Sequence, residues 1–579
     1  MAGDLAHRHR IETFGVRDRQ RRLRELLPGE SGPTCPWFRP RPNRGVVLRT
    51  CHSYTVPSIV FIVRRTTMPY NVPITGGDMK LDAEVLIAGA GPTGLLLACE
   101  LARRGVSFRL VDQSTAFFGG SRGDGLMPRT QEVFADMGVL PTVLAAGGEP
   151  LPTRIYDGDQ VIWEGSQAET YPPTADVPYP NPYFVPQYRT EQILRDRLAE
   201  LGGTLEQGVT LVDLTHLPDE VVVGLLTRSG PQRARFRYVV GADGGKSTVR
   251  KACGIPFTGE TDEGTTMTFG DVRLSGLDRS HGRIWRYGDS FVSLVPLHGT
   301  DRFNFTIPVP VLPADTSLLE HLQDLVSAAS GDPGIVLQEI TWSTTWRANA
   351  RIADRFRERR VFLAGDAAHV CPPTGGQGMN TGIQDAYNLA WKLAAVLGGA
   401  HESLLDSYEQ ERRPAAEAAL DLSGRLLAKY KNGDADANVR SREVHQLGIN
   451  YRTGSLAEDR RAQQGSLIAG DRAPDGRTET GKTVFDLLAG PHWTVLQVSD
   501  GTGTLGFVLP EYPEIPVYTI DPDVWLKFGI TAGTTVLIRP DNHIAVCVTE
   551  DAHQAIVDYL QNRIGLSAIT TSPLSQRTG

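Results

Sequence analysis

Asp366 stands where chemistry can first be placed on this chain. It follows Gly365 at the end of an apolar run, residues 361–364 (VFLA), the position of a strand end. A carboxylate delivered there accepts hydrogen bonds from ligand hydroxyls. Pro372, Pro373, Thr374, Gly375, Gly376, Gln377 and Gly378 then form a turn-rich loop, and a helical pattern takes over through Met379 and from near Asn380. Bare glycine backbone lets N–H groups come close to a ligand, and a helix N-terminus favours negative charge. Such a pairing suits a polyhydroxylated, partly anionic ligand.

Residues 83–112, AEVLIAGAGPTGLLLACELARRGVSFRLVD, carry a second constellation. Gly89, Gly91 and Gly94 fit G-x-G-x-x-G after a strand run at 85–88. Pro92 and Thr93 open a helix that runs to Arg104, with Gly105 past its end. The next strand, 106–111, leads to Asp112 and Gln113, roughly 20 residues beyond the glycines. Strand, glycine turn, helix, strand and acid in that order bind a dinucleotide: the turn approaches the pyrophosphate and the acid takes a ribose. A third segment, YVVGADGGKSTVR at 238–250, repeats strand, turn and helix start around Asp243 and Gly244.

These segments lie far apart, so a large fold must bring them together. At 579 residues, 40% hydrophobic and 22% charged, the chain has a soluble globular composition and room for about two to four domains. Its net charge of −8 leaves no surplus of Lys and Arg to neutralise phosphates, which argues against a nucleic-acid partner. The best apolar run outside the motifs, 56–63, is far too short for a membrane span. Six cysteines (Cys35, Cys51, Cys99, Cys253, Cys371, Cys547) are scattered without a C-x-x-C, which fits free thiols in a reducing cytoplasm and no metal site.

GAGPTG with its acid, SRGDGLMPRTQEVFADMGV (121–139), Asp243-Gly244 and GDAAHVCPPTGGQGMN (365–380) together resemble the class A, single-component FAD-dependent aromatic monooxygenases over roughly residues 80–470. More particularly they resemble the polyketide-tailoring hydroxylase branch. The resemblance implies an α/β chain: a Rossmann-like FAD-binding domain (79–150, 186–255 and 358–400), a β-sheet substrate domain (151–185 and 256–357), a helical connection (401–467) and a C-terminal thioredoxin-like α/β domain (468–579). That last domain lacks C-x-x-C and is read as structural or oligomerising, with a homodimer held open. In the family the first strand lies close to the initiator. Met79 or Met68 is therefore an expected start, and arginine-rich residues 1–78, with a short helix at 20–27, a disordered leader that is not native.

The same resemblance implies non-covalent FAD, its AMP ribose on Asp112, its pyrophosphate over residues 89–94 and its ribityl chain on Asp366. The loop at 373–380 would face the negative charge that gathers near N1 on reduction. Arg122 would reach toward the flavin, an exposed loop arginine being the alternative. Gln187 would contact flavin through its amide, against ordinary polarity near a helix cap at Thr190. The family often has Lys where this chain has Asp124, so no charge role carries over there. NADPH or NADH would be the reductant, and O2 would add at flavin C4a to give a hydroperoxide whose oxygen passes to a polycyclic aromatic substrate. Baeyer–Villiger insertion, epoxidation and antibiotic inactivation are alternatives on the same site, and a ligand-sequestering flavoprotein is a remote one. A dehydrogenase or halogenase is a further alternative, the latter disfavoured because its Trp-rich motif is missing. No catalytic side chain follows: His369 is expected in a local structural hydrogen bond and Cys371 as a packed thiol.

Strands are expected at 266–272, 283–287, 291–296 and 302–309, with a helix at 318–329. Trp285, Tyr287, Phe291, Phe303 and Phe305 could line an aromatic pocket, although strand alternation makes some of them core. Glu409, Glu411, Arg412 and Arg413, at helical spacing, are expected on a solvated, ion-paired face.

Overall fold

Apolar strands buried on both faces build the first layer. A computed structural model of the chain describes residues 80–166, 168–288, 290–308, 316–432, 440–478, 481–499 and 507–568. The expected leader, its helix at 20–27 and the Met79 start lie outside them. Ala83–Ala88, nearly all buried, pairs in parallel with Phe108–Asp112 on one side and Gly230–Gly241 on the other. Gly230–Gly241 pairs in parallel with Val361–Leu363, and Phe108–Asp112 with Leu205–Gln207. The hairpin strands Thr210–His216 and Val221–Thr227 join the same sheet antiparallel. Near-continuous Val, Ile and Leu with helices packed on the sheet is what parallel pairing demands.

Three helices are central to this layer. Pro92–Ala102 follows the glycine turn with proline in its first turn. Gln187–Glu200 begins earlier than the expected cap at Thr190, because Pro186 (φ −53°, ψ 136°) ends the extended chain; Thr190 is buried inside the helix. Gln377–Leu397 starts three residues before Asn380, where Gly376 turns left-handed at φ 64°.

The second sheet takes strands from three stretches of chain, the last being the short His369–Val370 beside Val336–Ala353. Thr153–Asp157 and Gln160–Gly165 join Gly282–Tyr287, Ser290–Pro296, Arg302–Pro308 and the long pair Phe257–Ser275 and Val336–Ala353. All neighbours are antiparallel except Thr153–Asp157 with Gly282–Tyr287. Helix Leu318–Ser330, with a Ser317–Glu320 capping box, covers one face. Trp285, Phe303 and Phe305 are buried under that helix as core, and Tyr287 is exposed. The expectation that these residues line a pocket is therefore corrected.

A third, five-stranded sheet orders Glu458–Asp459, Ile544–Val548, Thr535–Ile538, Thr494–Val498 and Val517–Ile520. It docks on the first layer through buried charge. On helix Asp406–Asn432, Glu411 is wholly buried and accepts from both Nη atoms of Arg539 (2.7 and 2.8 Å) and from Lys392 Nζ (2.6 Å). Arg539 also pairs with Asp541 at 2.6 Å, which takes the indole N–H of Trp391. Arg412 is buried as well, so the solvated face expected for residues 409–413 is corrected: Glu411 and Arg412 point into the seam between helices, and Arg413 pairs with Glu417 near the surface. Glu409 caps backbone, accepting from the amides of Phe356 and Arg357.

Burial pushes the Glu411 carboxyl up, but Arg539 and Lys392 outweigh it and hold it at about 2. Glu411→Ala leaves Lys392 buried without a counter-charge in contact and Arg539 with Asp541 alone. It should lower stability by about 3–5 kcal/mol, read as a fall in the urea denaturation midpoint.

Candidate active site

Parallel pairing puts the three motif turns at one edge. Ala83–Ala88, Gly230–Gly241 and Val361–Leu363 are neighbours pointing the same way, so residues 89–94, 242–244 and 365–366 leave the sheet side by side. Backbone stitches them: the Ala242 amide donates to the Ala88 carbonyl at 2.8 Å and Ala364 to Gly241 at 3.0 Å. At the junction there is no room for side chains. A Cβ on Gly89, already at φ 105°, would overlap the Ala242 carbonyl, and one on Gly94 would overlap the Gly89 carbonyl. Gly365 and Gly382 press on Thr93 in the same way, which seats the helix Gln377–Leu397 against the fingerprint turn.

These turns open on a cavity of about 1560 Å³. Fifteen of the singled-out residues line it: Gly89, Gly91, Pro92, Thr93, Asp112, Gln113, Arg122, Gln187, Asp243, Asp366, Pro373, Gly376, Gln377, Gly378 and Met379. Gly94 and Asn380 stand behind its wall. Asn380 is buried: its Nδ2 donates to the carbonyls of Gly125 (2.8 Å) and Gly376 (2.7 Å), and its Oδ1 accepts from the Met127 amide (2.9 Å). It thus ties the segment after Arg122 to the start of the long helix. Gln377 spends its amide on Gly375, Val444 and Gln446.

Asp112 accepts from the amides of Ala90 and Ser114, both at 2.8 Å, and so shapes the glycine turn as well as lining the cavity. Gln187 donates to Glu191, whose carboxyl burial holds above the usual range. Arg122 stands 4.4 Å over the Phe118 ring. Asp243 Oδ2 caps helix Thr248–Ala252 through two amides, while its Oδ1 is buried and accepts from no described residue. Asp366 opens on the cavity but is otherwise enclosed, and that desolvation raises its pKa against the pull of His369 and Arg122.

His369 makes a local hydrogen bond. Its Nε2 lies 2.6 Å from Asp385 Oδ2, which also accepts the Gly365 amide at 3.0 Å; Asp385 Oδ1 accepts Arg412 Nε at 2.8 Å. All three side chains are buried. The group fixes the turn that presents Asp366. Burial, with Asp366 and Asp385 nearby, pushes the Cys371 thiol up to about 12, so it stays protonated. Among the described residues no His, Cys, Asp or Glu cluster could hold a metal ion.

FAD fits what is present. Gly91 and Gly378 have nothing within 4 Å of where a Cβ would stand, and both lie at the start of a long helix facing the cavity. Bare amides there suit pyrophosphate at one helix and an anionic ring edge at the other. Beyond this half, Phe118, Phe184, Phe269, Trp346, Pro296 and His298 line a second, aromatic half that sequence periodicity did not disclose. Asp271, on strand Phe257–Ser275, was also missed. Wholly buried, it accepts from the Ser121 amide at 3.0 Å and holds the loop carrying Arg122.

Comparison with known proteins gives the following. Residues 82–423 match the family described as FAD binding domain. A flavin-dependent monooxygenase of Mycobacteroides abscessus is 44% identical over 484 residues, 82% of this chain and 99% of that protein. The 6-methylpretetramide 4-monooxygenase of Streptomyces rimosus is 31% identical over 525 residues, 80% and 90% of the two chains. The structure of aklavinone-11 hydroxylase with FAD and aklavinone superposes with a TM-score of 0.72 at 26% identity, covering 83% of this chain and 99% of that one.

Gly94→Ala drives a methyl into the Gly89 carbonyl. FAD affinity should fall at least about tenfold, measured by flavin fluorescence titration. A second expectation concerns Asp271, whose carboxyl burial pushes up to about 6 from 3.8. The folded protein holds this proton more tightly than the unfolded chain, so the penalty is absent below pH 3.8 and grows until about pH 6. Asp271→Asn removes that slope. Its stability relative to the parent should rise by up to roughly 3 kcal/mol between pH 4 and pH 6 in matched urea titrations.

Proposed function

The chain belongs to the FAD-binding family of flavin-dependent monooxygenases of aromatic-hydroxylase type, and from that premise we propose that it uses NAD(P)H and O2 to hydroxylate a polycyclic, polyketide-type aromatic. The observation that carries the reading is one continuous cavity with two unlike halves: glycine turns, helix N-termini and carboxylates on one side, aromatic side chains of the second sheet on the other. Relatives named for 6-methylpretetramide and aklavinone support the substrate class.

The chain's own residues divide the work. The turn at 89–94 and the N-terminus of Pro92–Ala102 take the pyrophosphate, Asp112 the adenosine ribose and Asp366 the ribityl hydroxyls. Arg122 would approach the same half from its loop, and Gln187, whose backbone amide is tied to that loop through Ser121, would contact the ring system. Gly376, Gly378 and the helix N-terminus behind them favour negative charge at the ring edge, a term worth about 0.3–1 kcal/mol and more where water is excluded. Bound FAD supplies hydride acceptance from the nicotinamide and activation of O2 for insertion into an electron-rich ring. The protein positions the aromatic and keeps water away. The third sheet, proposed as a thioredoxin-like domain without its redox cysteines, contributes no chemistry and buttresses the long helix through Glu411 and Arg539. Four free cysteines among the described residues accord with a cytoplasmic location.

Aerobic turnover with anthracycline-, angucycline- and tetracycline-type aromatics tests this. The expected outcome is substrate-stimulated NADPH oxidation with oxygen uptake and a product heavier by one oxygen atom; NMR of that product separates ring hydroxylation from Baeyer–Villiger insertion or epoxidation. A protein that stays colourless after reconstitution with excess FAD would overturn the reading.

A further inference from the structure

Asp124 is a carboxylate on the cavity wall that nothing above uses. It stands two residues after Arg122 and is partly exposed, to the cavity that it lines. No described side chain forms an ion pair with it or hydrogen-bonds to it; the donors beside its carboxylate are its own amide and that of Gly125.

The backbone on both sides of Asp124 is held. Upstream, the Ser121 amide is bound by buried Asp271, while Ser121 Oγ donates to the Gly123 carbonyl at 3.2 Å and accepts the Gln187 amide at 3.2 Å. At the residue itself, the Asp124 carbonyl accepts the Val185 amide at 2.8 Å. Downstream, Gly125 pairs with Phe184 as a short strand and is tied by Asn380 to the start of the long helix. A side chain on so anchored a segment keeps its place without a side-chain partner. Phe184, paired with Gly125 beside it, and Phe118 line the same cavity.

A fixed carboxylate on the cavity wall is acceptor-only when ionised, and two backbone amides leave it with acceptor sites to spare for a further donor. A polycyclic aromatic offers one donor class at its edge, the ring hydroxyl. We propose that Asp124 is a specificity-determining residue that accepts a hydrogen bond from a phenolic hydroxyl of the substrate, setting which ring edge faces the reactive end of the cavity and disfavouring O-alkylated analogues. This rests on the hydroxylase reading and goes further by naming the substrate group. Enclosure raises the Asp124 carboxyl to about 6, against the pull of its own amide and that of Gly125, so it is ionised at neutral pH. A hydrogen bond to an ionised, largely desolvated acceptor is among the stronger kinds.

The test uses FAD-loaded protein and a matched pair, 2-hydroxyanthraquinone and 2-methoxyanthraquinone, with dissociation constants read from quenching of tryptophan fluorescence. The parent protein is expected to prefer the hydroxyl compound by about tenfold or more, the equivalent of one charge-assisted hydrogen bond. Asp124→Asn, nearly isosteric, should bring the two constants to within about threefold at matched FAD content, and Asp124→Glu should restore part of the preference. An unchanged ratio in Asp124→Asn would overturn the inference and leave the hydroxylase reading standing. Failure of the FAD-loaded protein to bind either compound would count against both.

Discussion

The structure depends on three parallel strands lying side by side, with glycine where the turns that follow them meet. Ala83–Ala88, Gly230–Gly241 and Val361–Leu363 are distant in sequence, yet parallel register places their C-terminal ends within one backbone hydrogen bond of each other. Gly89 and Gly94 then let turn and helix close on neighbouring backbone where any side chain would collide. An open parallel sheet leaves its crevice at that edge. The cavity follows from this packing, and the charged and glycine-rich residues that line it would be scattered without it.

A second layer of organisation is electrostatic and dry. Asp385 collects the Gly365 amide, His369 and Arg412, and Arg412 passes on to the Tyr451 hydroxyl at 2.9 Å. The Tyr451 ring lies 4.3 Å from His543, beside the Arg539–Asp541 turn of the third sheet. The turn presenting Asp366 is thus backed by a run of buried contacts, hydrogen bonds and then a ring contact, reaching the C-terminal sheet. Burying such groups is costly, and the cost is offset only because each charge meets a counter-charge: Burial alone would draw Lys392 well down from its usual value; Glu411 limits the fall to about 8.

The second sheet roofs the cavity and also governs the loop that carries Arg122 and Asp124. Asp271 binds the Ser121 amide, Arg302 donates to the Gly119 carbonyl at 2.9 Å, and the Trp342 indole fills the space beside Gly120. The loop therefore answers to both layers: Asn380 fixes its far end to the dinucleotide layer and Asp271 its near end to the aromatic one.

The sequence by itself determined the dinucleotide half of this protein. Strand, glycine turn, helix and acid are contiguous, and each imposes a local requirement that only certain residues meet, so Gly89–Gly94, Asp112, Asp243 and Asp366 were legible one motif at a time. Four strands of the second sheet, expected at 266–272, 283–287, 291–296 and 302–309, were legible too, because alternation and turn residues are local signals. Tertiary structure alone decided the rest. Trp285, Phe303 and Phe305 share their strand pattern with cavity residues, and only the placement of helix Leu318–Ser330 makes them core while Phe269 and Trp346 face the chamber. Glu411 and Arg412 have the spacing of a solvated face, and only the partners brought by Lys392, Asp385 and Arg539 bury them. Asp271 belongs to no motif, and Asp124 departs from the one that contains it. Their meaning depends on what surrounds a carboxylate in three dimensions, and spacing along a chain does not encode that.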